Sequence, residues 1–191
     1  MLSGHRVWVD KVAISPDGQL IASASSDGTA RLWSRSTGEC LNVLRGHVKY
    51  VYSVAFSSQG LLASSGGDDL SVKFWDAQTG ECLKTLEGHQ DYVGGIAFNP
   101  DGQMIASDSG DETVRIWGVQ TGECRQVLPG HQVWVQAVAF SPDGQLLATA
   151  GNCLRVWNPN TGESLLTLEG HSGWVSSAAF SPDGQVLITG S

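Results

Sequence analysis

A Gly-His pair recurs along this chain at residues 4-5, 46-47, 88-89, 130-131 and 170-171, at spacings of 42, 42, 42 and 40. Two further series keep the same rhythm. One is a tryptophan at 33, 75, 117 and 157; the other is the tetrapeptide SPDG or a near variant, beginning ten residues after each histidine at Ser15, Ser57, Asn99, Ser141 and Ser181. Three series in phase describe one structural unit written five times, with the fifth copy stopping after two of its segments. A unit of this length cannot bury all its own apolar surface, so each copy must be shielded by the copies beside it.

Within a unit the apolar residues follow strand spacing, and no window keeps a helical period. The third copy predicts strands over 92–98, 103–109, 113–117 and 124–128, separated by NPDG, GDE and QTGE. Pro in second place and Gly in fourth suit a type I turn, because the ring pre-sets one backbone angle and Gly tolerates the exit. The first strand carries its apolar residues at Val9, Val12 and Ile14 in copy one and at Val51, Val54 and Phe56 in copy two. A step of three and then two breaks strict alternation and predicts a β-bulge. The chain is thus expected to be all-β, one segment over 1–191 with units beginning near 4, 46, 88, 130 and 170.

The same residues resemble the WD-repeat (Trp-Asp repeat) β-propeller family over essentially the whole chain. Gly-His, SPDG, Ser-x-Asp and the strand-ending Trp recur together, although the naming dipeptide is intact only at Trp75-Asp76 and its Asp is replaced by Ser34, Gly118 and Asn158 elsewhere. Phrases such as FSPDGQLLA and TGECL resemble the long arrays of bacterial signalling proteins. The resemblance implies a propeller of four-stranded antiparallel blades, here four complete blades and half of a fifth. Such an open set would leave apolar faces uncovered at both ends. Further repeats, head-to-tail pairing of two copies or a second polypeptide are the three expected ways of covering them.

A Ser, His and Asp constellation invites a catalytic reading. Copy one aligns His5, Ser23, Asp27 and Trp33; copy two His47, Ser65, Asp69 and Trp75; copy three His89, Ser107, Asp111 and Trp117. An enzyme needs its site once, whereas a fold of equal units needs a fastener in each, so these residues read as structural. The resemblance implies the wiring: indole to hydroxyl, hydroxyl to imidazole, imidazole to carboxylate. Copy four keeps His131, Thr149 and Trp157 but is two residues shorter and lacks the Asp, with Asn152 as the available substitute. It is expected to be the less rigid unit.

Composition bounds the partners. A formal charge of −8 with only 11 Lys and Arg, spread along the repeats, argues against nucleic acid. No apolar run reaches the roughly 20 residues that span a bilayer, and MLSGHRVWVDKV lacks a secretory pattern, so no membrane association and a cytoplasmic location are expected. Cys40, Cys82 and Cys124 occupy equivalent positions in successive units, which predicts free thiols. No cofactor or metal is expected, since neither phosphate-binding glycine loops nor metal-ligand spacings occur.

Three residues after each Gly-His histidine stands an aromatic: Trp8, Tyr50, Tyr92, Trp134 and Trp174. Two positions on, the side chains vary, with Asp10 and Tyr52 among them, and Asp68 just before a turn Asp varies likewise. Resemblance places these on the top face, where aromatic residues make binding hot spots. The expected function is therefore a non-enzymatic scaffold or sensor segment binding a protein or peptide. The alternative is a ring of several copies that holds small ligands between blades, as a lectin does.

Overall fold

The computed structural model describes residues 3–191, and every regular element among them is a β-strand. The chain forms two compact units that divide between Val93 and Gly94.

The first unit contains two four-stranded antiparallel sheets. One runs in the order β1 (Val9–Ile14), β2 (Leu20–Ser25), β3 (Thr29–Ser34), β4 (Cys40–Arg45); the other β5 (Val51–Phe56), β6 (Leu62–Gly66), β7 (Val72–Trp75), β8 (Cys82–Leu86). Small residues on the first sheet, Ala22, Ala24 and Ala30 beside Leu32 and Leu44, let β5 approach closely, so Val51, Val54, Leu62 and Trp75 complete one core. Each fully buried Val or Leu contributes about 1.5–3 kcal/mol. The bulges expected in the first strands are present, between Val9 and Lys11 and between Val51 and Ser53.

In the second unit, β9 (Val93–Phe98, from its second residue on), β10 (Met104–Ser109), β11 (Val114–Gly118) and β12 (Cys124–Leu128) form one sheet. β13 (Ala137–Phe140), β14 (Leu147–Ala150), β15 (Leu154–Trp157) and β16 (Ser164–Leu168) form the next, and β17 (Ser177–Phe180) with β18 (Leu187–Gly190) a two-stranded sheet. Met104, Ala106, Val114, Ile116 and Leu128 pack on Val135, Leu147 and Trp157, and Ala148, Ala150 and Leu154 pack on Val175. The third copy's strands fall within a residue or two of the expected spans.

The SPDG turns close as expected. In the first, the Gly18 amide donates to the Ser15 carbonyl at 2.8 Å with φ +68° at Gly18, and the Ser15 hydroxyl bridges Asp17 and the Leu20 amide. A second bulge was not foreseen. It falls at the tryptophan of each third strand, between Leu32 and Trp33, Phe74 and Trp75, Ile116 and Trp117, and Val156 and Trp157. The extra residue lies on the fourth strand opposite each tryptophan, at Leu41, Leu83, Arg125 and Leu165.

Candidate functional site

The Ser, His and Asp residues of the first repeat form the expected chain. Trp33 Nε1 donates to Ser23 Oγ at 2.8 Å, Ser23 Oγ lies 2.7 Å from His5 Nε2, and His5 Nδ1 lies 2.9 Å from Asp27 Oδ2. One proton assignment satisfies every atom: indole to hydroxyl, hydroxyl to Nε2, and Nδ1–H to carboxylate. The hydroxyl is buried and engaged at once with the indole and the imidazole, which ties the second and third strands to the Gly-His loop.

In the second repeat the hydroxyl is that of Ser64, which corrects the expectation of Ser65. Trp75 Nε1 and His47 Nε2 both lie 2.7 Å from Ser64 Oγ, and His47 Nδ1 lies 2.8 Å from Asp69 Oδ2. The cause is a compensated pair of length changes. The SSQG turn is one residue shorter, its Ser57 hydroxyl taking the amide of Leu61 four residues on instead of five. The following turn, Gly66 to Ser71, is one longer than Ser25 to Thr29, so the repeat length is unchanged. A side chain at position 66 would collide with His47 and Asp69, which is why glycine stands there.

Burial pushes the Asp27 and Asp69 carboxyls up, but hydrogen bonds outweigh it. Thr29, His5 and the Arg6 amide hold Asp27 well below the usual carboxylate range; His47, Ser71 and the Val48 amide bring Asp69 down to about 2. Trp117 Nε1 donates to Ser107 Oγ at 2.8 Å, and Asp111 accepts from Thr113. His89, in the first unit, is buried. In the fourth repeat Trp157 Nε1 and His131 Nε2 both lie 2.8 Å from Thr149 Oγ1, but buried Nδ1 of His131 has no hydrogen-bond partner among the described residues. Asn152 exerts only a weak upward pull on this imidazole, without a bond of ordinary geometry, while burial and then the Arg155 charge push its pKa down to about 4.

These fasteners position the aromatic residues. The Trp8 carbonyl accepts from the Ser25 hydroxyl and the Ser26 amide, and the Tyr50 carbonyl from the Gly67 amide, so the turn beside each Asp pins the backbone that presents the ring. In the first unit Trp8, Tyr50 and Tyr52 line one open cleft with Asp10 and Ser26, and Ser26 donates to Asp10 at 2.7 Å. Tyr52 lies 5.9 Å from Tyr50 and 5.6 Å from Tyr92, centroid to centroid. Burial, then Tyr50 and the carboxylates of Asp10, Asp68 and Asp91, raise the Tyr52 phenol above its ordinary pKa. Asp68 is paired with Lys49 at 2.5 Å, and Lys49 holds a left-handed φ of +61°.

In the second unit Trp134 and Trp174 stand 6.2 Å apart at 51°. With Glu112, Gln132, Val133 and Gln136 they enclose about 230 Å³. Thus the structure gathers Trp8, Asp10, Tyr50, Tyr52, Tyr92 and Asp68 around one unit and Trp134 with Trp174 in the other, each group at the entrances of first strands.

A model of the family described as WD domain, G-beta repeat matches residues 1–34, 38–76, 80–118, 122–158 and 162–191. The chain belongs to the WD40 repeat family. Among WD40 relatives, human WD repeat-containing protein 86 is 46% identical over 41 residues, covering 22% of this chain and 11% of that protein. The Notchless protein homolog of Arabidopsis thaliana is 50% identical over 44 residues, covering 23% and 9%. The rice small ribosomal subunit protein RACK1y is 49% identical over 43, covering 22% and 13%. The matched stretch in each is about one repeat, a small fraction of the relative's own length.

For a WD40 chain the residues that sequence spacing overlooked are the informative ones. Glu112 and Gln132 had no signal, since they sit in turns whose composition varies from repeat to repeat. Ser64 had one: the missing residue after Gly60, visible once SSQGLLAS is set beneath SPDGQLIAS. Among the described residues no helix is long and apolar enough to cross a membrane, and no His, Cys, Asp and Glu cluster is arranged for a metal ion. The four cysteines are free thiols.

Proposed function

We propose that this chain is a non-enzymatic protein-interaction module, a scaffold or sensor segment that binds a protein or peptide through the aromatic residues at its strand entrances. One observation carries this reading: Trp8, Trp134 and Trp174 are 83%, 50% and 57% exposed. A large rigid ring kept in water by a pinned backbone is available for a partner to cover. The two clusters differ, acidic and tyrosine-rich in one unit and built on paired tryptophans in the other, which fits an extended, non-repeating partner better than copies of one small ligand. Relatives support the class. RACK1y is named a small ribosomal subunit protein, and a further relative is eukaryotic translation initiation factor 3 subunit I, both members of larger assemblies. A cytoplasmic location belongs to the same proposal.

Self-association or completion by further repeats belongs to the same proposal. In β1, Val9, Val12 and Ile14 are 47%, 59% and 61% exposed, whereas their counterparts Val51 and Val54 are buried against Ala22, Ala24 and Leu32. The cover that fits β1 is therefore a second-and-third-strand face of the same kind.

Selection of peptides from a displayed library on the whole chain tests the interaction reading. Trp8→Ala, or Trp134→Ala with Trp174→Ala, is expected to weaken the selected binders by about tenfold or more, the ordinary size of a hot-spot truncation. Binders indifferent to all three tryptophans would overturn it.

A further inference from the structure

The cleft in the second unit combines three features. Its walls are two indoles, set 6.2 Å apart at 51° so that they form a V rather than a closed stack. Its polar lining is the Glu112 carboxylate, an acceptor only, and the carboxamides of Gln132 and Gln136, each able to accept through its oxygen. Among the described residues none of these three side chains has an intramolecular hydrogen bond or ion pair, although Gln136 is half-buried.

Glu112 stands at the left-handed position of its turn, φ +67°, which Gly28 and Leu70 fill in the first two repeats at φ +82° and +53°. The turn sets this backbone in all three repeats, at a cost of about 1–3 kcal/mol for a non-glycine residue. What is particular to the third repeat is a carboxylate at that position, on the lining of the cleft.

Indole faces attract cations, most strongly a delocalised one with a thin hydration shell. Acceptors beside them call for a cation that also donates. A quaternary ammonium donates nothing, and a lysine ammonium is compact and strongly hydrated. A guanidinium presents five N–H donors in a plane that an indole can cover. We propose that the cleft lined by Trp134, Trp174, Glu112, Gln132 and Gln136 is a binding site for an arginine side chain of a partner peptide. Glu112 supplies the countercharge, the two glutamines accept from the guanidinium edge, and the tryptophans cover its face. This rests on the interaction reading above and gives its second-unit cluster a ligand.

The test uses the whole chain and short peptides identical except at one central residue: arginine, citrulline, lysine or trimethyl-lysine, followed by tryptophan fluorescence. Arginine is expected to saturate the site and to bind about tenfold or more tightly than citrulline, its neutral isostere, with lysine between them. Trp174→Ala is expected to abolish binding, and Glu163→Gln, which removes an exposed carboxylate outside both aromatic clusters, to leave it unchanged. Glu112→Gly separates the site from the fold. It is expected to raise the melting temperature by about 2–4 °C, since the strain is relieved, while weakening arginine binding about threefold or more and reducing its salt dependence. Equal binding of citrulline and arginine, tighter binding of trimethyl-lysine than of arginine, or no saturable binding up to about 10 mM would each overturn the proposal. Library-selected binders that need Trp134 and Trp174 but tolerate every replacement of arginine would overturn it and leave the interaction reading standing. Binders needing no strand-entrance aromatic would overturn both.

Discussion

The second and fourth repeats hang the same indole on the same kind of hydroxyl, at 2.7 and 2.8 Å, yet they end the chain of hydrogen bonds differently. In the second, His47 donates its Nδ1–H to Asp69, which also accepts from the Val48 amide and the Ser71 hydroxyl. In the fourth, the chain stops at His131, whose Nδ1 is buried and unpartnered among the described residues. The difference separates two jobs that one motif performs elsewhere. Indole and hydroxyl fill space and satisfy each other. The carboxylate ties the Gly-His loop to the turn between second and third strands and gives the imidazole a reason to stay buried.

The largest effects should fail to distinguish the two repeats. Trp75 and Trp157 are buried to the same degree, so Trp75→Ala and Trp157→Ala are each expected to cost about 3–5 kcal/mol in urea unfolding, followed by probes in the unit concerned. A Trp157→Ala cost smaller by more than about 2 kcal/mol would mean that packing, and not only the relay, is weaker in the fourth repeat.

Acid should distinguish them. The folded pKa of His131, about 4, lies below its ordinary value, so on acidification the unfolded chain takes up the proton first. The stability it allows is intact above about pH 6.5 and drains away as pH falls toward 4, on the order of 3 kcal/mol in all. Asp69 also loses its contribution on acidification, but in a lower window. Its carboxyl, brought down to about 2, keeps its contribution until pH falls below the ordinary carboxylate value near 4. Between about pH 7 and 5, amide exchange in β14 and β15 is therefore expected to accelerate relative to that in β6 and β7. Parallel acceleration would break the comparison. Faster exchange over 145–157 than over 103–117 is expected even at neutral pH, because the third repeat keeps its turn Asp.

Removing the imidazole sharpens the same contrast at smaller scale. His47→Ala strands both Asp69 and the Ser64 hydroxyl and is expected to cost about 1–3 kcal/mol. His131→Ala strands only Thr149 and removes an unpaired donor, so its cost is expected to be lower by about 1 kcal/mol. Equal losses in thermal unfolding would show that the carboxylate adds nothing to the relay.

Period, strand type, the first-strand bulge and the loss of the fourth Asp were all legible in the sequence, because each is carried by residues that recur in phase. What recurrence conceals is a pair of changes that cancel. The bulge at each tryptophan is invisible for a related reason: it occurs in all four complete repeats, so no repeat stands out against another. The arginine cleft was half legible. Trp134 and Trp174 belong to a repeating series, but Glu112, Gln132 and Gln136 occupy positions that vary, and only folding shows that five such residues line one space.

The smallest effect tests that concealment directly. A chain aligned by repeat length assigns the second relay to Ser65; the fold assigns it to Ser64, whose oxygen takes the Trp75 indole N–H. Ser64→Ala is expected to cost about 1 kcal/mol and to move the Trp75 indole proton resonance, since a buried donor loses its acceptor. Ser65 is buried too, so Ser65→Ala will also perturb stability, and stability alone cannot decide. The indole resonance can, because it reports one hydrogen bond: it should shift in the first variant and hold its place in the second. The reverse pattern would restore the 42-residue register and, with it, the view that the second repeat carries no compensated slip.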